Sequence, residues 1–333
     1  MLRPRSFPRV LSLLVLVPTC VVPLSLEATL ASRAQLAPSL EATLVGRARP
    51  LDGVRPADAG DALARDGVAR VDGVLPPETA AALRARILEL LRGDGRADGR
   101  ADGRAEADDR RFVPGTRLRF ASAMKIDFAG TVRQDLLLPL EDEVIGAALR
   151  AALARLRPAL EGGAAACIGG SGGARALELT ECAALVTEPG ATHQYIHADI
   201  RRDATRAQTV APRLVCFVAA QDVPSARHGA TCFLPGTATR AAHAAFYGPD
   251  DRPAAARPDP GASPRLATLR AGDAAIYDAS VLHFGGANEV EGNTRVIFYF
   301  AVSPAGERAD AAEERVPGYT AMPPQRVADL VAG

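Results

Sequence analysis

The sequence predicts an α+β fold in which helices come first and short antiparallel strands follow, in one unit of about 240 residues. Three observations predict it. Amphipathic helical periodicity falls before residue 160. Seven short apolar runs, separated by Gly, Pro and Asp turns, follow residue 176; that pattern belongs to an antiparallel sandwich or barrel. The chain has 333 residues, 48% of them hydrophobic, enough to bury one sizeable core and leave tails.

Composition narrows the function classes. Lys+Arg 39 balances Asp+Glu 39, and the single lysine is Lys125. A neutral chain with 5% aromatics and no tryptophan lacks the basic footprint of a nucleic-acid binder. The apolar content also excludes wholesale disorder.

At the N-terminus, Arg3, Arg5 and Arg9 precede an apolar run from Val10 to Leu26. Residues 1–27 therefore read as a signal peptide or other targeting segment, directing the chain to the secretory pathway or an organelle. A signal anchor and a transit element stay open, the latter because residues 28–50 are rich in Ala, Arg, Ser and Thr. Pro18 and Pro23 interrupt the run, so no stable membrane span is expected in the mature protein. Residues 28–60 read as linker of low order; within them SLEATLVGRA (39–48) nearly repeats SLEATLASRA (25–34), as linker or weak helix.

The catalytic-size unit is expected over 61–305. Residues 66–75 predict a short strand and turn; Pro76 and Pro77 then open a helix to about Leu91, with Leu83, Ile87 and Leu90 on one face. Three copies of Asp-Gly-Arg-Ala (94–105) mark a flexible insertion over 93–110. A second amphipathic helix is expected over 141–160 and a glycine-rich loop over 161–174, which lacks the GKS or GKT of a phosphate loop. Strands are expected at 177–186, 196–200, 214–220, 231–234, 274–277, 281–284 and 296–302, and a C-terminal tail over 306–333. Of five cysteines, Cys20 lies in the targeting segment; Cys167, Cys182, Cys216 and Cys232 allow three disulfide pairings if the protein is exported. The absence of CxxC argues against a zinc knuckle, and buried small hydrophobes are the alternative reading.

The chemistry-bearing residues are few. In Ile196-His197-Ala198-Asp199-Ile200, positions 197 and 199 point to one face of an extended chain. His283 follows 84 residues after Asp199, at the end of a strand that begins from a Gly272-Asp273 turn, and Arg295 comes twelve residues later. If the strands roll up, two imidazoles and one carboxylate meet on one face of an ion and leave the opposite positions open, the facial triad of non-haem Fe(II) oxygenases. A nearby arginine holds a carboxylate by paired, charge-assisted hydrogen bonds.

With these residues, HxD…H…Arg, the chain resembles the Fe(II)/2-oxoglutarate dioxygenases and is most similar to the phytanoyl-CoA dioxygenase family. Pro189-Gly190-Ala191 with Gln194 resembles the family's approach to its HxD strand, and Gln221-Asp222-Val223 with Gly229 through Thr237 resembles its D-V…G-x-x-x-F-x-P-G-[ST] segment. Asp66–Glu78 resembles its strand–helix entry, and the likeness covers about 66–305. The resemblance implies a double-stranded β-helix (a cupin-like jelly roll) with flanking N-terminal helices. It implies Fe(II) at His197, Asp199 and His283, and 2-oxoglutarate as cosubstrate, its distal carboxylate on Arg295. Gln194 and Thr231 become cosubstrate-pocket candidates, Lys125 a loose anionic contact, and ascorbate a candidate accessory. The partners implied are dioxygen and a small-molecule substrate, with succinate and CO2 released. Family members often carry a hydroxyl two residues after the distal histidine; here that position is Gly285, so Thr231 or Tyr195 would have to serve, or Arg295 acts alone. Retention of Asp199 favours hydroxylation over halogenation.

Rival readings are a prolyl-hydroxylase-like protein modifier, which usually carries Lys in place of Arg295, and a non-catalytic jelly roll that holds a metal or small acid. The other histidines read as structural or solvated: His193 in a solvated loop, His228 in a turn, His243 on a helix after the Pro235-Gly236-Thr237 turn. Asp278 reads as a turn cap, and Arg201 and Arg202 as surface charges.

Overall fold

The computed structural model describes residues 39–93, 117–119, 133–168, 176–202, 212–248, 257–305 and 325–332. Residues 1–27, expected as a targeting segment, the Asp-Gly-Arg-Ala repeats and Lys125 lie outside the described residues.

Part of the segment expected as linker is helical: α1 (Leu40–Arg47) is capped by Ser39, whose Oγ accepts from Ala42 N at 3.2 Å. Leu44 is fully buried and anchors it. Two short strands, β1 (Arg49–Pro50) and β2 (Gly53–Val54), and a 3-10 turn (Pro56–Asp58) lead to α2 (Ala59–Asp66). That helix ends at Gly67 in the left-handed conformation, φ 73°. The expected strand and helix appear as β3 (Val68–Val71) and α3 (Pro77–Gly93), with Leu83 and Ile87 fully buried.

The second expected helix is longer. Helix α4 (Glu143–Ile168) runs on through Pro158 and into the stretch expected as a glycine-rich loop. The reason is packing. A Cβ on Gly162 would stand 3.2 Å from the Gly60 Cα of α2, and one on Gly163 would stand 2.5 Å from a Leu63 methyl. These glycines let α2 and α4 touch, while the alanines that follow favour helix.

The strands form two sheets. The large one has the order β2-β3-β10-β7-β12-β6-β5-β4, where β4 is Arg117–Arg119, β5 Arg133–Leu137, β6 Leu177–Thr187, β7 Leu214–Ala219, β10 Ala274–Asp278 and β12 Arg295–Pro304. The small one has the order β1-β9-β8-β11, with β8 Thr231–Phe233, β9 Arg265–Leu266 and β11 His283–Gly285. Along the chain α5 (Arg240–Tyr247) falls between β8 and β9, and β12 is followed by β13 (Gln325–Arg326), paired to β6, and α6 (Val327–Ala332). The run expected as a strand at 281–284 starts its pairing at His283. Residues 196–200 are not a strand. They make one antiparallel bridge, in which His197 and His283 exchange two backbone hydrogen bonds of 2.9 and 2.7 Å, before the chain turns away.

Two cores result. Phe298 and Phe300 face outward from β12 and pack with Leu63, Leu83, Leu149 and Leu153 of the helices. The inward face packs against the small sheet: Phe217, Tyr277, Ile297 and Tyr299 meet Phe233, Leu266 and Phe284. This is a jelly roll with flanking N-terminal helices. Cys182, Cys216 and Cys232 are free, buried thiols, so the disulfide reading gives way to small hydrophobes in the core. Burial pushes the Cys232 thiol up to about 12. Among the described residues no helix is long and apolar enough to cross a membrane.

Candidate metal centre and its pocket

Strand alternation decides which polar groups enter the interior of the roll. The cross-strand bridge sets His197 beside His283, with ring centroids 4.5 Å apart. Asp199, two residues on, reaches both: its Oδ1 lies 3.8 Å from His197 Nε2 and 3.7 Å from His283 Nε2. The three ligand atoms lie within 4.8 Å of one another.

Their orientation suits an ion. His197 Nδ1 stands 2.8 Å from the Tyr195 carbonyl, and His283 Nδ1 stands 2.9 Å from the Val281 carbonyl. A carbonyl can only accept, so each Nδ1 carries the proton and each Nε2 presents a lone pair to the shared space. Burial, then the neighbouring His283, holds the His197 pKa down to about 4, partly offset by Asp199. The imidazole is thus neutral, as a ligand must be. Tyr277 donates its hydroxyl to Asp199 Oδ2 at 2.9 Å, which leaves Oδ1 turned toward the imidazoles. The donor set of two imidazoles and one carboxylate, on one side of a common point, fits a divalent transition-metal ion.

Beyond the triad the interior carries cations. Arg295 is 2% exposed; it donates to Thr187 Oγ1 at 2.9 Å and to the Gly229 carbonyl. Burial, then the positive charge of Arg133, lowers its pKa to about 9, and its Nε has no hydrogen-bond partner. The hydroxyl on this guanidinium is that of Thr187, not Thr231 or Tyr195. Thr231 is buried directly across from Gly285 in the β8–β11 register. Gln194 joins the same corner, its Oε1 accepting from Gly285 N at 2.8 Å.

A third group is acidic. The Tyr299 hydroxyl lies 2.9 Å from both Asp135 Oδ2 and Glu181 Oε1. One phenol has one proton, so the second contact requires a proton on a carboxyl. Burial, then the Glu181 charge, pushes Asp135 up to about 8; burial raises Glu181 to about 7 against the pull of Arg213. Acids whose folded pKa is raised favour the unfolded state as they ionise. Stability is therefore expected to fall as pH rises from the ordinary carboxyl range, about 4, through about 8. Asp135→Asn should flatten that loss, measured by denaturant unfolding of the metal-free protein from pH 5 to 9; an unchanged slope would contradict the assignment.

The remaining histidines are structural. His193 is half-buried rather than solvated, its Nδ1 accepting from Ala287 N at 2.9 Å. His228 Nδ1 bonds Ser225 Oγ within a turn. His243 is fully buried, bonded to the Ser280 carbonyl and Arg202 N. Asp278 caps its turn through Ser280 N. The two arginines expected at the surface are half-buried: Arg202 bonds Asp278 and Ser280, and Arg201 stacks 4.0 Å over the Tyr247 ring.

Sequence reasoning missed Tyr277, Thr187, Arg133 and the acidic pair. None has a motif of its own. Each could have been found only from the register of inward-facing positions on neighbouring strands.

The fold has counterparts among solved structures. The epimerase SnoN from nogalamycin biosynthesis, described as non-haem and α-ketoglutarate dependent, aligns at 22% identity and TM-score 0.50, over 81% of this chain and 93% of its own; at that identity the likeness concerns the fold. HygX from Streptomyces hygroscopicus aligns at 16% identity and TM-score 0.47, over 82% and 98%. A Pseudomonas putida prolyl-4-hydroxylase aligns at 16% identity and TM-score 0.46, over 76% and 100%. No curated protein matches the chain. The sequence model of phytanoyl-CoA dioxygenase (PhyH) matches residues 63–296, most of the chain and the whole triad, and the chain belongs to that family.

Proposed function

We propose that this protein is an Fe(II)- and 2-oxoglutarate-dependent oxygenase that hydroxylates a small organic molecule. The observation that carries the reading is the triad itself: two imidazole Nε2 atoms and Asp199 Oδ1 face one point, each oriented by a hydrogen bond on its far side. Family membership and the donor set favour iron; the retained carboxylate at Asp199 favours hydroxylation.

In this reading His197, Asp199 and His283 hold the metal. Iron with 2-oxoglutarate and dioxygen supplies an oxidant able to take hydrogen from carbon, with succinate and CO2 as co-products. The chain's own residues do the rest. Asp199 neutralises part of the ion's charge, and Tyr277 keeps its second oxygen from swinging in. Arg295, a buried cation with an unpartnered Nε, receives the distal carboxylate of the cosubstrate. Phe217, Phe233 and Tyr277, packed edge to face and tilted on one another, wall the site with apolar surface that limits water.

The test is anaerobic loading with Fe(II) and 2-oxoglutarate, then exposure to oxygen without substrate. Slow succinate release is expected. Metal binding with no succinate at any substrate tried would leave a binding protein instead.

A further inference from the structure

Arg133, Thr187 and Arg295 stand side by side on three adjacent strands. Thr187 on β6 is in register with Arg133 on β5 and with Arg295 on β12. The three residues thus start from one level of the inner wall, and Arg295 bonds the Thr187 hydroxyl. Among the described residues no acid raises the pKa of Arg295, while Arg133 lowers it. The two cations are therefore close enough to feel each other across the inner wall.

Gly285 shows where the Arg133 guanidinium goes. Its backbone is not in the left-handed region, so its φ does not demand glycine. Space does: a Cβ there would overlap Arg133 Nη1 and stand 2.5 Å from Gln194 Oε1. Arg133 Nη2 is spent on carbonyls, at 2.5 Å from Thr192 O and 2.7 Å from Gly286 O. Those bonds fix the plane of the guanidinium over Gly285, two residues from the ligand His283. Arg133 and Gly285 are a matched pair, one filling the volume that the other leaves.

We propose that Arg133 is a second anion anchor of this pocket, sharing the distal carboxylate of the 2-oxo acid with Arg295 and selecting dicarboxylic over monocarboxylic 2-oxo acids. The inference rests on the reading that the pocket takes a 2-oxo acid.

The test titrates 2-oxoglutarate and, separately, 2-oxobutyrate into Mn(II)-loaded protein by calorimetry, alongside thermal unfolding. Four further proteins are compared with the parent: Arg133→Ala, Arg133→Lys, Gly285→Ser and the double variant Arg133→Ala/Gly285→Ser. In Arg133→Ala, 2-oxoglutarate affinity should fall by about 10-fold or more, with 2-oxobutyrate affinity unchanged. Arg133→Lys, which keeps a charge without the fork, should fall between. Gly285→Ser alone should weaken 2-oxoglutarate binding and lower the melting temperature, because its side chain displaces the guanidinium. The double variant should regain melting temperature relative to Gly285→Ser, since the clash is gone. Equal loss of both acids in Arg133→Ala and Arg133→Lys, or no loss of either, overturns the inference and leaves Arg133 as a loop tie. If the parent binds neither acid, the reading of the pocket fails first and this inference with it.

Discussion

Replacing His283 with alanine is expected to reduce succinate release from 2-oxoglutarate by more than about 100-fold, since even partners one step removed from a metal are worth 10–100-fold. His283 is the pivot of the centre. Its Nε2 faces Asp199, its Nδ1 is fixed on the Val281 carbonyl, and its backbone bonds hold His197 in place. The variant keeps those backbone bonds, so it should fold, and Mn(II) binding followed by paramagnetic resonance should weaken in parallel with activity. Tyr277→Phe makes the graded counterpart. It removes the bond to Asp199 Oδ2, and should cost about 10-fold in metal affinity while the ligand set survives. If His283→Ala turned over at the parent's rate, the centre would lie elsewhere.

Arg295→Met is expected to raise the KM for 2-oxoglutarate by roughly 100-fold, the loss of about 3 kcal/mol of charge-assisted hydrogen bonding. Its effect on the ligand-free fold should be small. Arg295 is buried with no acid among the causes of its pKa shift and with Nε unpartnered, so the charge itself is a cost to the apo protein. Methionine fills similar volume without that cost, although the Thr187 hydroxyl and the Gly229 carbonyl lose a donor. A melting temperature that collapses while cosubstrate affinity holds would make Arg295 a structural residue. Each role moves one readout and leaves the other, which is what makes the variant informative.

What could be read from the chain, and what could not, follows from where each signal resides. The triad and Arg295 are few, chemically distinctive and ordered along the sequence, so their spacing already pointed to one centre. The strands Leu214–Ala219 and Arg295–Pro304 carry continuous apolar runs because both faces are covered. β5 was missed for the opposite reason: Arg133 and Asp135 face inward, so its inner face looks like a solvated one. Residues 196–200 carry the alternation of a strand, yet pairing stops after one bridge. Gly162 and Gly163 suggested a loop, and only the close approach of α2 explains them inside a helix. Thr187, Arg133 and Tyr277 acquire meaning from cross-strand register, which no local window contains.

The most direct measurement is anomalous diffraction from crystals grown with Mn(II) and 2-oxoglutarate. One strong peak is expected between His197 Nε2, His283 Nε2 and Asp199 Oδ1, with density for the keto acid running from it to Arg295. A peak bound to other side chains, or those three left without an ion at saturating Mn(II), would contradict the account.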